Sequence, residues 1–113
     1  MESKELVILK KPKSFFAESI RNIRTYLTVS STSSQIVLNT SAEVGDGKSF
    51  VTANLAVSCA QDDKKVLLID ANLRKGIQHE IFHVENSKDG GYSGLISHYD
   101  ETVPFDKYIC KTS

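Results

Sequence analysis

The segment TSAEVGDGKSF, at positions 40–50, constrains the fold of this chain more than any other part of it. The apolar run QIVLNTS, 35–41, precedes it and predicts a short buried strand. The stretch GKSFVTANLAVSCAQ, 47–61, predicts a helix that is apolar on most sides and suited to packing on a sheet. KVLLIDA, 65–71, predicts a second strand covered on both faces. Strand, glycine loop, helix and strand form a βαβ unit, which requires parallel strands and a right-handed crossover.

The glycine loop carries the residues that a phosphate-binding loop requires. The general pattern is GxxxxGK[ST], and here it reads AEVGDGKS with Ala42 in the first position. Gly45 and Gly47 let the backbone curl with its amides inward, and the positive end of the following helix points at the same place. Lys48 brings a charge to the β- and γ-phosphates, and Ser49 offers a hydroxyl to Mg²⁺. The predicted nucleotide-binding residues are Val44, Gly45, Asp46, Gly47, Lys48, Ser49 and Phe50.

An acid stands at the end of the second predicted strand. Asp70 would lie at the carboxyl tip of a parallel strand beside the phosphate loop, where a carboxylate reaches Mg²⁺ or its water shell. The sequence therefore predicts a magnesium site formed by Ser49 and Asp70. A plainer alternative is that Asp70 only caps a turn.

The N-terminal third predicts an arm and an amphipathic helix. Residues 1–13 are polar and basic, which favours an extended arm ending near Pro12. Residues 14–30 predict a helix with Ser14 as its N-cap. Its apolar face is predicted to consist of Phe16, Ile20, Ile23 and Leu27, and the charged ridge beside it of Glu18, Arg21 and Arg24.

Charge and hydropathy say little about the partners of the chain but indicate where in the cell it is expected. Lysine plus arginine equals aspartate plus glutamate at 14 each, so bulk charge argues neither for nor against a nucleic-acid or anionic-membrane partner, and we expect no nucleic-acid partner. The sequence has no run of about 18 apolar residues and no secretory signal at its start, so neither a membrane span nor secretion is expected. Cys59 and Cys110 lack metal-site spacing and fit a reducing cytoplasm.

A second motif, HEIFH at 79–83, matches the zinc-protease pattern HExxH. On a helix His79 and His83 would share a face, with Glu80 as the general base. Gly76 and the glycine-rich SKDGGYSG segment leave room for barely two turns, so we interpret the match as chance and expect no zinc. The segments 90–99 and 102–111 each suggest a short helix.

Three features occur together: the loop SAEVGDGKS, the segment LLIDANLR at 67–74, and the ridge of Glu18, Arg21 and Arg24. This combination resembles the cytoplasmic kinase domain of bacterial tyrosine kinases (BY-kinases) of capsule and exopolysaccharide systems. The resemblance implies an α/β fold of the P-loop NTPase type, a parallel sheet with flanking helices. Residues 14–113 would be the N-terminal portion of such a domain, incomplete, with a βαβ core and an N-terminal helix.

The resemblance also implies an activity and partners. The family uses Mg-ATP to phosphorylate protein tyrosines, among them a tyrosine-rich tail of a neighbouring copy. The ridge on the helix 14–30 would be its contact for self-association into a ring. A membrane-embedded modulator would control the kinase and recruit it from the cytoplasm to the inner face of the plasma membrane. Catalytic roles would fall to Lys48, Asp70 and Asn72.

The sequence departs from this family in two respects. The second strand of the family ends in two acids, D-x-D, whereas here Asp70 is followed by Asn72, whose amide takes up no proton usefully. The third acid-tipped strand and the clustered tyrosines of the family are absent before Ser113, so we expect either that the natural gene product is longer or that this is a truncated form with weak or no catalysis. Two alternatives stay open: a non-catalytic nucleotide-binding or oligomerisation module, and a partition-type ATPase. The latter carries an additional lysine early in the loop, where this chain has Ser41, Ala42 and Glu43.

Overall fold

The computed structural model describes residues 5–30, 35–43, 47–71 and 78–82. The chain divides into two units, Met1–Ile69 and Asp70–Ser113, and each is described by itself. Helices within the described ranges are α1 (Val7–Lys10), α2 (Phe15–Ser30) and α3 (Lys48–Gln61) in the first unit, and α4 (Gln78–Ile81) in the second.

Helix α2 confirms the helix predicted over 14–30. It begins at Phe15 because Ser14 acts as the N-cap: the Ser14 Oγ accepts a hydrogen bond from the Ala17 amide at 3.2 Å. The buried positions of α2 are Ala17 and Ile20. Ile23, predicted for the apolar face, is 43% exposed because it lies at the edge of the arc centred on Ile20.

Helix α1 corrects the expectation of an extended arm over 1–13. Val7–Lys10 form one helical turn, and Ile8 within it is 1% exposed. The turn packs against both α2 and α3. Burial of one large aliphatic side chain and a buried hydrogen bond from its amide to Asn54 hold this segment against the other two helices.

Helix α3 confirms the helix predicted over 47–61 and closes the core of the first unit. Its buried residues include Leu55, which joins Ile8, Ala17 and Ile20 in one apolar cluster. Partly buried side chains pack around that cluster: Phe16, Leu27, Val51, Val57 and Cys59. The core therefore lies where α1, α2 and α3 meet.

The two predicted strands, 35–41 and 65–71, form no strand in the described part of the chain. Their apolar side chains face outward, with Ile36 at 102%, Leu38 at 87% and Ile69 at 62% exposure. A strand needs a neighbour to satisfy its backbone amides and carbonyls, and within the described ranges neither segment has a ladder partner. The helical part of the α/β expectation is confirmed, and the parallel sheet stays a prediction.

Candidate phosphate-binding site

The candidate site is built at the start of α3, where Gly47 turns the chain into the helix. Gly47 has φ 83° and ψ 13°, in the left-handed region, and serves as the N-cap. Nothing lies within 4 Å of the place where a Cβ would stand, so glycine is needed here for its backbone conformation and not for space. On the other side of the loop the Ser41 hydroxyl donates to the Glu43 carbonyl at 3.0 Å. Val44, Gly45 and Asp46 lie outside the described residues.

Lys48, Ser49 and Phe50 form the first turn of α3 and are half-buried. The amides at a helix start have no partner within the helix and carry the positive end of the helix dipole. The first turn of α3 contains no acidic residue that would neutralise it. The backbone and Lys48 thus present concentrated positive charge at this end, which is the requirement for binding an anion.

The aromatic ring of Phe50 is engaged within the fold. It stacks on Phe16 of α2, with ring centroids 4.6 Å apart and an interplanar angle of 25°. The Thr52 hydroxyl, two residues further along α3, donates to the Lys48 carbonyl at 2.7 Å. The stacked ring thus anchors the turn that carries Lys48 to α2.

Asp70 is the first residue of the second unit, whereas Lys48 and Ser49 belong to the first. It is half-buried, and its Oδ2 accepts a hydrogen bond from the Gln78 amide at 3.3 Å. That contact lies at the beginning of α4, which agrees with the plainer alternative of a capping aspartate. Asn72 lies outside the described residues, so the magnesium and catalytic roles of Asp70 and Asn72 stay predictions.

The predicted contact ridge on α2 divides into residues with different surroundings. Glu18 is exposed. Arg21 is half-buried, and its Nη2 donates to the Pro12 carbonyl at the turn before α2. Arg24 reaches α3, where its Nη1 donates to the main-chain carbonyl of Ser58 at 3.1 Å and to the Ser58 hydroxyl at 3.2 Å. One member of the ridge is thereby committed to a contact within the chain.

The Arg24 side chain caps the C-terminal end of α3. The Asp62 amide, which would pair with the Ser58 carbonyl in a continuing helix, donates to Cys59 instead at 3.1 Å. The last turn of α3 has no basic residue of its own. The guanidinium supplies both the missing donor and a positive charge at the negative end of the helix dipole.

Asn54 is a structural residue that the sequence pattern did not identify. It is 0% exposed in the middle of α3, and its amide bonds the backbone at Glu5, Ile8 and Phe50. The sequence signal for this role is an asparagine within an otherwise apolar helical stretch, because a buried side-chain amide must find hydrogen-bond partners.

The described residues leave the second motif largely untested. Helix α4, Gln78–Ile81, contains the backbone of His79 and Glu80, while His83 lies outside the described residues. Among those described, no group of three or more His, Cys, Asp or Glu side chains is arranged to hold a metal ion. The helices suggested over 90–99 and 102–111 also lie outside the described part.

Curated relatives identify the family. Over 86 residues, 74% of this chain, the sequence is 46% identical to the tyrosine-protein kinase YwqD of Bacillus subtilis (strain 168). It is 39% identical over 92 residues, 80% of the chain, to the tyrosine-protein kinase etk of Escherichia coli (strain K12). It is 35% identical over 82 residues, 71% of the chain, to the tyrosine-protein kinase ptk of Acinetobacter johnsonii. The chain belongs to the bacterial tyrosine-protein kinases.

The match covers only part of each of these kinases: 36% of YwqD, 12% of etk and 11% of ptk. This chain therefore corresponds to a segment of a bacterial tyrosine-protein kinase. No family model matches it, and no solved structure matches it. In the described residues, none of the helices combines the length and apolar character needed to cross a bilayer.

Proposed function

We propose that this chain is the ATP-binding portion of a Mg-ATP-dependent protein-tyrosine kinase of capsule or exopolysaccharide biosynthesis. One observation carries the proposal: Gly47 takes a left-handed conformation and opens α3 directly onto Lys48 and Ser49. That geometry gathers the helix-start amides and an ammonium group at one end of a helix. It occurs within the part of the chain that matches tyrosine-protein kinases.

The residues present fit a magnesium-bound polyphosphate. Lys48 would neutralise the β- and γ-phosphates, and the first amides of α3 would hold their oxygens. Ser49 and Asp70 would ligate the Mg²⁺, which supplies charge neutralisation when bound. Both are hard oxygen donors, the ligands that this ion prefers. The described residues thus provide the donor chemistry for binding.

Asn72 is expected to limit catalysis, because it stands where the family has a second acid. Transfer of a phosphoryl group to a tyrosine hydroxyl requires that hydroxyl to lose its proton, and an asparagine amide takes up no proton. General-base catalysis contributes about 10²–10⁴-fold. The chain should therefore bind nucleotide well and transfer phosphate slowly.

The partners proposed for the whole kinase follow from the same assignment. They are a second copy that associates through the helix over 14–30, a membrane-embedded modulator, and protein tyrosines as substrates. The proposed location is the cytoplasm, at the inner face of the plasma membrane. Self-association would use Glu18 and Arg21, which bond no other helix among the described residues, more than Arg24, which bonds α3.

Nucleotide affinity tests the proposal. Binding of a fluorescent ADP derivative with Mg²⁺ is measured for the wild type, Lys48→Met and Lys64→Met. Lys64 is exposed beyond the opposite end of α3, so its substitution removes the same charge away from the site. The proposal predicts saturable binding that Lys48→Met abolishes and Lys64→Met preserves. Equal affinity in the two variants would contradict it.

A non-catalytic nucleotide-binding module is the second candidate, and Asn72 is the observation that favours it. Wild type and Asn72→Asp are incubated with Mg-ATP and a tyrosine-containing polypeptide, and phosphotyrosine is measured. Faster phosphorylation by Asn72→Asp, by about 10²-fold or more, would support a weakened kinase. Nucleotide binding by both with phosphotyrosine from neither would support the module.

A further inference from the structure

The side-chain amide of Asn54 connects the N-terminal segment to α3. Its Oδ1 accepts a hydrogen bond from the Ile8 amide at 3.0 Å, and its Nδ2 donates to the Glu5 carbonyl at 3.1 Å. The same Nδ2 donates to the Phe50 carbonyl at 2.9 Å, one turn back along α3. Both amide protons are thus used, in a side chain that is 0% exposed.

The hydrogen bonds of Asn54 also join α1 to α3. The Leu6 N-cap of α1 makes no side-chain hydrogen bond, so the Ile8 amide, an orphan donor at the start of α1, is satisfied by Asn54. One planar amide therefore fixes α1 and the first turn of α3 relative to each other. The Ile8 side chain, 1% exposed in the core, holds the same segment from its other side.

Phe16 provides a second anchor on the same turn. Its ring stacks on that of Phe50 at a centroid distance of 4.6 Å. Phe50 is thus held by its carbonyl through Asn54 and by its ring through Phe16. It directly follows Lys48 and Ser49, so a rotation of the first turn of α3 would have to break one of these contacts.

We propose that Asn54 and Phe16 are positioning residues for the phosphate site. They set the first turn of α3 against α1 and α2 before a nucleotide arrives, so its amides and Lys48 need no further ordering on binding. Neither residue touches the nucleotide. The inference rests on the proposed nucleotide binding and adds that the N-terminal segment supports it.

The test separates positioning from general stability. ADP affinity is measured with Mg²⁺ for Asn54→Ala and Phe16→Leu, at a temperature where unfolding curves show both variants folded. Phe16→Tyr keeps the stacked ring and serves as the conservative control. Ile20→Val serves as the stability control, because Ile20 lies in the same core, 1% exposed, and the substitution removes one methyl group without touching the Asn54 bonds or the stacked rings.

We expect the ADP dissociation constant to rise about fivefold in Asn54→Ala and Phe16→Leu, the equivalent of one lost hydrogen bond or ring contact. Phe16→Tyr and Ile20→Val should retain wild-type affinity. If Asn54→Ala fails to fold, the Phe16→Leu and Phe16→Tyr pair decides. Affinity in Phe16→Leu equal to that of Ile20→Val would overturn the inference while leaving nucleotide binding intact. Absence of ADP binding by the wild type would overturn the proposed function and this inference together.

Discussion

Replacing Arg24 by alanine should destabilise a single copy of the chain. The substitution removes two hydrogen bonds from the guanidinium, to the carbonyl and the hydroxyl of Ser58. Ser58 is 0% exposed, so water reaches its vacated groups poorly. The substitution also removes the positive charge at the C-terminal end of α3, which has no basic residue in its own last turn.

The magnitude follows from these contacts. Hydrogen bonds to a charged group contribute about 1.5–3 kcal/mol, and a cation at a helix C-terminus contributes about 0.3–1 kcal/mol. Arg24 is only half-buried, so solvent offsets part of both contributions. The free energy of unfolding should fall by about 1.5–3 kcal/mol. Arg24→Lys keeps the charge but has a smaller set of donors, and it should lose about half as much.

Urea unfolding followed by far-ultraviolet circular dichroism measures the loss, at two protein concentrations that differ at least tenfold. Arg21→Ala is the matched control, because its only described bond is to the exposed turn at Pro12. It should cost less than about 1 kcal/mol. A contact between copies would make the loss in Arg24→Ala depend on protein concentration, whereas a contact within the chain would not.

A free energy of unfolding for Arg24→Ala within about 0.5 kcal/mol of the wild type at both concentrations would show that the guanidinium does not stabilise α3, since surface substitutions fall in that range. A loss of stability that appears only at high protein concentration would indicate that Arg24 contacts a second copy, as predicted from the charged ridge.

Three further predictions concern single positions. Ser14→Ala removes the N-cap bond to the Ala17 amide and should cost about 1 kcal/mol in urea unfolding. The exposed Ser30→Ala, whose hydroxyl bonds only carbonyls of its own helix, should change stability by less than about 0.5 kcal/mol. Gly47→Ala should cost about 1–2 kcal/mol from backbone strain alone, since an added Cβ meets nothing within 4 Å; a neutral result would argue against the left-handed conformation. Burial raises the pKa of the Cys59 thiol, although the charge of Arg24 opposes this in part. Iodoacetamide should therefore modify Cys59 with a pH midpoint higher in the folded chain than in urea, as followed by peptide mass spectrometry, and equal midpoints would contradict the burial. The same shift makes the folded chain hold this proton more tightly, so its stabilising contribution is lost as pH rises through the folded pKa.

Helices α2 and α3 were predictable because the sequence signals for them are local. The Ser14 cap, the spacing of Phe16, Ile20 and Leu27, and a glycine directly before Lys48 all act within a turn or two of the backbone. These elements begin and end within about one residue of their predicted positions.

Tertiary contacts explain what the sequence pattern missed. The arm over 1–13 contains a helical turn because Asn54, more than 45 residues further along, accepts a hydrogen bond from the Ile8 amide. Arg24 was assigned to an outward ridge because its spacing from Arg21 places both beside the apolar stripe. Its partner Ser58 is 34 positions away and gave no signal in the sequence.

The candidate site was predictable in its residue types and only partly in its geometry. Gly47 precedes a helix that begins at Lys48, as the pattern predicted, and phosphate binding by these residues stays a prediction. The positioning of Phe50 by Phe16 depends on how α2 crosses α3, which no local pattern encodes. The predicted sheet over 35–41 and 65–71 depends on pairing between distant segments, and the described residues do not show it.

In the proposed function, the first turn of α3 binds polyphosphate through its amides and Lys48. Titration of the ¹⁵N-labelled chain with Mg-ADP, followed by amide chemical shifts, tests this binding. We expect saturable shifts at Gly47, Lys48 and Ser49 that vanish in Lys48→Met. Shifts that spare these three amides, or that persist unchanged in Lys48→Met, would contradict it.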